Sequence, residues 1–163
     1  MAILDQQTVL WDNVALTTGT VVSTNTIDCG TPGATPTSAN RDVRDIGVGE
    51  PLAMVVFVTV VALIAGTETY EFDIIQSAAA ALSTPTILAK AVFATAGAPA
   101  IAASRLTAGS VVVVPLPGGV QTARYLGGQY IGANSAGISI TAAILPLRDV
   151  TQQKYYATAI VIQ

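Results

Sequence analysis

Histidine is absent from this 163-residue chain, and cysteine occurs once, at Cys29. Without histidine the commonest metal ligand and the commonest general base are missing, so the many serines cannot build a Ser-His-Asp triad. A single cysteine permits no intramolecular disulfide, which sets aside a stapled extracellular scaffold. Charge is scarce as well: 10% of residues are charged, against about 25% in ordinary soluble domains. Seven basic residues face ten acidic ones, a net charge of −3, so there is no basic field to hold nucleic acid.

What is present is mostly apolar. Hydrophobic residues make up 52% of the chain and the mean hydropathy is +0.60. Such a chain cannot cover itself with charge. Its surface is expected to be Thr, Ser, Ala and Gly, with part of an apolar face covered by another subunit or partner. A membrane span is not expected. The longest apolar run, Leu52 to Ala65, contains Thr59 and is closed by Gly66, well short of the roughly 20 residues a spanning helix needs. Val55, Val56, Val58, Val60 and Val61 favour a strand there. Asp5 stands where a signal peptide carries basic residues, so secretion by the ordinary route is not expected either.

The stretch from Arg41 to Leu63 organises the rest. RDVRDIGVGE holds five of the chain's charges, Arg41, Asp42, Arg44, Asp45 and Glu50, and feeds directly into PLAMVVFVTVVAL. A charged turn thus leads into what should be the most buried strand, with Pro51 at its start and, given its length, a bend or bulge within it. Before it, residues 1–12 read as an N-terminal arm or edge strand, Thr20 to Ile27 as a strand, and residues 29–43 (CGTPGATPTSANRDV) as a long surface loop. After it, Glu68 to Gln76 alternates, with Thr69, Glu71 and Asp73 on one side and Tyr70, Phe72 and Ile74 on the other, as in a half-buried strand with a solvent face.

Ser77 to Ser83 is too short for an independent helix and reads as a turn ending near Pro85. Further strands are expected over Ile87 to Ala94, Val111 to Val114, Arg124 to Ile131, Gly137 to Leu147 and Tyr155 to Ile162. Gly127-Gly128 marks a bulge or a close backbone approach. Eight or nine strands and no long helix imply one all-β domain over residues 1–163, an antiparallel β-sandwich of jelly-roll type with extended terminal arms.

Chemistry has few places to reside. Asp28-Cys29-Gly30-Thr31 resembles an aspartic-protease turn, but Cys29 replaces the hydroxyl residue and there is one copy, so a turn ending a strand is the plainer reading. Asp42 and Asp45, with Glu50 near, could seed a cation site, but calcium needs about six or more oxygens at well-set spacing, and Arg41 and Arg44 would neutralise much of the attraction. Ion pairs within the loop or across an interface fit them better, and Arg41, Asp42, Arg44 and Asp45 are therefore candidate interface residues. Leu4, Leu10 and Trp11 are candidates for an apolar anchor of the arm, set for Trp11 against a plainer assignment to the core. Tyr125, Tyr130, Tyr155 and Tyr156 beside Arg124 could form a stacking surface, against a plainer assignment to core and interface. No catalytic residue, metal or cofactor is expected.

Several pieces carry a resemblance: ILDQQ (Ile3 to Gln7), STNTID (Ser23 to Asp28), above all RDIGVGEPL (Arg44 to Leu52), and more weakly FDIIQSA with STPTILA (Phe72 to Ala89) and ARYL with Tyr130. In these the chain resembles the capsid cement, or decoration, proteins of short-tailed phages. That resemblance implies a non-enzymatic jelly-roll virion protein, made in the host cytoplasm and mounted on the outer surface of the capsid. It also implies a homo-oligomer (a dimer before a trimer) that bridges neighbouring copies of a major capsid protein of HK97-type fold. The residue 29–43 insert and the residue 148–163 extension, read as an added strand, depart from that pattern. The other class open at this stage is a glycan- or receptor-binding jelly roll of a phage particle.

Overall fold

The computed structural model describes residues 8–30, 51–61, 67–94, 101–118, 122–134 and 137–152. In chain order the strands are β1 (Val9–Leu16), β2 (Gly19–Val22), β3 (Ile27–Asp28), β4 (Leu52–Val61), β5 (Thr69–Ser77), β6 (Thr86–Ala94), β7 (Ile101–Ala102), β8 (Val111–Pro115), β9 (Tyr125–Ala133) and β10 (Ile138–Pro146). A short 3₁₀ turn (Ala103–Arg105) precedes β8, and a six-residue helix, α1 (Leu147–Gln152), follows β10.

The strands form two sheets. One has the order β1-β10-β4-β8; the other runs β2-β9-β5-β6-β7, with β3 also on β9. Apart from the short parallel pair β6–β7, all pairings are antiparallel. Without the two-residue strands β3 and β7, the pairing is nested: first with last (β1–β10), second with second-last (β2–β9), then β4–β8 and β5–β6. That nesting is the jelly roll the turn spacing implies. Because β1 and β10 meet only after the whole chain between them is placed, most stabilising contacts are remote in sequence.

The core lies between the sheets. Trp11, Met54, Val56, Tyr70, Phe72, Ile74, Tyr130, Ile140 and Ile144 are among its fully or nearly fully buried members. Strand β5 supplies Tyr70, Phe72 and Ile74, the side assigned inward by its alternation. The opposite side corrects the expectation of a solvent face: Asp73 is 0% exposed and Ile75 is buried beside it. A period-two pattern identifies the two faces but not how deeply each residue is buried, and a charged residue on the outer side need not reach water.

Strand β4 sits between β10 and β8 and is buried through most of its length. The expected irregularity is at Thr59. Val60 opposes Ser139 and Val58 opposes Ile140, so Thr59 is the extra residue, its Oγ1 donating to the Ser139 carbonyl at 3.0 Å. Beyond this bulge the strand turns outward and Val60 is exposed. A second apolar cluster lies on the outer face of the same sheet, where Val150 and Leu147 of α1 pack with Ala53, Val55, Val113, Ala143 and Leu145. The expectation of an added strand over residues 148–163 is corrected as far as Gln152, which belongs to the helix. Residues 153–163 lie outside the described residues.

The Thr20 to Ile27 strand is in fact two, β2 and β3, with a break at Ser23 to Thr26. Ser23 accounts for the break: its hydroxyl donates to the Asn25 carbonyl (2.7 Å) and accepts from Gly128 N–H (3.1 Å), a local side-chain bond competing with the ladder. Ser77 organises the following turn in the same manner, accepting from Ala79 N–H and donating to Ser83 C=O.

Candidate functional site

The arm comes first. Strand β1 is the edge of the four-stranded sheet, and Leu10 and Trp11 both reach 0% exposure within this chain. Adjacent residues of a regular strand face opposite ways. Here Val9 opposes Ala143 while Trp11 opposes Ala142, so β1 carries one extra residue at that point. The bulge lets both large side chains enter the core, where both meet the bare backbone of Gly128. A second irregularity between Trp11 and Val14 places Asn13 at φ 46°, its N–H on Thr141 Oγ1. The assignment of Leu10 and Trp11 to a partner-facing anchor is therefore corrected, and the plainer core reading of Trp11 holds: both side chains fix β1 to its own sandwich. Leu4, Arg41, Asp42, Arg44 and Asp45 lie outside the described residues.

What the structure does describe is the root of the long connection that carries the charged turn. The connection leaves the larger sheet at Asp28 and enters the smaller one at Leu52. At its departure Asp28 is clamped. Its Oδ1 accepts from Arg124 Nε (2.8 Å) and from Gly30 N–H (2.9 Å), and its Oδ2 accepts from Arg124 Nη2 (2.7 Å). The Arg124 guanidinium also lies 5.1 Å above the Tyr125 ring, and Cys29 N–H donates to the Arg124 carbonyl. The carboxylate beside it pushes Arg124 further above the usual guanidinium range. This fork-to-carboxylate geometry is specific in direction as well as favourable. At the return, Leu147 N–H donates to Pro51 C=O (2.7 Å) and Leu116 N–H to Leu52 C=O (2.8 Å). Both ends are thus fastened to residues at the margins of the sheets: Arg124 just before β9 at one end, and Leu116 just after β8 with Leu147 at the start of α1 at the other.

The Asp28 arrangement is that of a structural carboxylate held by arginine, which matches the plainer reading of that turn. Since both side chains are nearly half exposed, the pair contributes little to global stability. Arg124→Ala is expected to leave the melting temperature nearly unchanged and to accelerate amide exchange at Gly30, whose acceptor Arg124 orients. Loss of the whole fold would contradict that assignment.

Of the four tyrosines of the candidate stacking surface, the two among the described residues do not share an exposed surface. Tyr130 is buried, its ring 5.7 Å from that of Phe72, while Tyr125 is half-buried beneath Arg124. Tyr155 and Tyr156 lie outside the described residues. Among the described residues no cluster of three or more His, Cys, Asp or Glu side chains is placed to hold a metal ion, and no helix is long and apolar enough to cross a membrane. Sequence reasoning missed Arg124 as the partner of Asp28. The two are remote in sequence, and only the β3–β9 register, with Asp28 opposite Tyr125, brings them together.

Fold and site together define a jelly-roll β-sandwich with a long, charge-bearing connection fastened at both ends. Residues 12–144, nearly the whole sandwich, match the Bbp16 family model, and the chain belongs to that family. The family name points to a phage protein. No curated protein matches the chain.

Proposed function

We propose that this chain is a capsid cement protein, bound to the outside of an assembled phage head and bridging neighbouring copies of an HK97-type major capsid protein. The observation that carries the reading is the family match across the jelly-roll sandwich, joined to the RDIGVGEPL stretch that resembles phage decoration proteins. The fastened roots at Asp28 and Pro51 support it, because a contact loop held at both ends loses less conformational entropy on docking than a free one. Burial of Tyr130 removes one member of the aromatic surface that glycan binding would use.

The mechanism is avidity. Each copy contacts two or more shell subunits, so weak contacts add within a lattice of high effective concentration. In this reading Arg41, Asp42, Arg44 and Asp45 form ion pairs across the interface and fix its register. The chain acts without a catalytic centre or cofactor, as a homo-oligomer with a dimer preferred.

Co-sedimentation with empty shells lacking the protein tests this. The expected result is saturable binding at a fixed ratio to the shell protein, weakening as salt rises, with Arg44→Ala and Asp45→Ala lowering occupancy. Absence of binding at every salt concentration would overturn the cement role. Unchanged occupancy and salt response in both variants would remove the ion pairs from it.

A further inference from the structure

The outer face of the larger sheet holds a carboxyl group that nothing yet described uses. Asp73 lies at the middle of β5, the strand flanked by β9 and β6. Its side chain is fully buried, and among the described residues neither carboxyl oxygen meets an N–H or hydroxyl donor, which leaves the Glu71 carboxyl as the group close enough to share a proton with it. Glu71, two residues earlier, points to the same face of the strand. Lys90 of β6 stands directly opposite Asp73, yet its ammonium is committed to Glu71 Oε1 at 3.1 Å. Gln129 of β9, opposite on the other side and nearly buried, brings no charge. Farther along the face are Ile75 and Gly127, with Leu82 against Gly127. Glu71 and Lys90 are therefore the titratable groups that face Asp73 among the described residues.

One cation thus serves two carboxyl groups on this face, and it serves the more exposed of them. An ionised, unpaired carboxylate at the buried position would bear the full cost of desolvation, whereas a protonated one would not. We propose that buried Asp73 is a proton-holding site, and that Asp73, Glu71 and Lys90 make this face a pH-responsive element, loss of whose proton weakens the sandwich. Burial, first, then the neighbouring Glu71 charge and a hydrogen bond shared with the Glu71 carboxyl push the Asp73 carboxyl up to about 7, with Lys90 opposing. The folded chain then holds a proton that the unfolded chain, with an ordinary carboxyl, has already lost. Stability from this group is highest in acid and falls as pH rises from about 4 to about 7, with little further change above. For a shell protein this would make the face softer under alkaline conditions than under mildly acid ones.

The test is a carboxyl ¹³C NMR titration of the wild-type chain, with denaturant unfolding of wild type and Asp73→Asn from pH 5 to pH 8. The titration should show Asp73 ionising near neutrality, and Glu71→Gln should lower that midpoint by removing the like charge. Across the same range the wild-type folding constant should fall relative to that of Asp73→Asn by roughly a hundredfold. An Asp73 midpoint near 4 would overturn the proposal, as would parallel stability profiles for the two chains. The titration needs no variant to fold.

Discussion

Trp11→Ala should cost the sandwich about 3–5 kcal/mol, the range for truncating a large buried aromatic side chain. The indole has no exposed surface and closes the core under the edge strand, where a bulge turns Leu10 inward beside it. Since a domain of this size has about 5–15 kcal/mol to lose, the variant should unfold at much lower denaturant or not accumulate. Gly128 is the other half of the same contact. A Cβ there would stand 2.7 Å from Trp11 Cη2 and 3.3 Å from Leu10 Cδ1, so Gly128→Ala should destabilise by about 1–3 kcal/mol through overpacking.

Trp11→Phe withdraws the far edge of the indole, the part that alanine at 128 would strike. It loses packing but no hydrogen bond, because the buried indole N–H has no partner. The two changes together should cost clearly less than the sum of their separate costs, as measured in a double-mutant cycle by urea unfolding. Additive costs would mean that the glycine is there for another reason.

Phe72→Ala should be comparably severe, at about 3–5 kcal/mol. Its ring stands at the centre of the larger sheet's inner face, 6.1 Å from Phe93 in an edge-to-face arrangement and 5.7 Å from Tyr130. Three strands, β5, β6 and β9, meet through these rings. Such pairs add about 0.5–1.5 kcal/mol beyond the area they bury. Phe72→Leu restores much of the volume without the ring geometry, so it should recover most but not all of the loss. Full recovery by leucine would assign the whole effect to volume.

The alternation of Tyr70, Phe72 and Ile74, the run of valines in β4 and the turn residues around them make the sandwich legible in sequence, because each reflects a local period or a local breaker. The Thr59 bulge is foreshadowed by a strand too long to stay regular. Leu10 and Trp11 were not legible in the same way. Their burial depends on a bulge created by pairing with β10, on the far side of the chain, and adjacent bulky residues read equally well as one buried and one outward. Asp73 is a similar case, its charge suggesting solvent while its side chain is buried. Of the candidate site, the Asp28 turn was legible as a turn. Its partner Arg124 was not, since the pairing exists only through the β3–β9 register.

Cryo-electron microscopy of phage heads assembled with and without this chain tests the central claim most directly. The expected result is difference density on the outer surface alone, with the jelly roll seated across at least two shell subunits and the residue 31–50 connection at the contact. Heads of identical appearance, with the chain absent or confined to the tail, would contradict it.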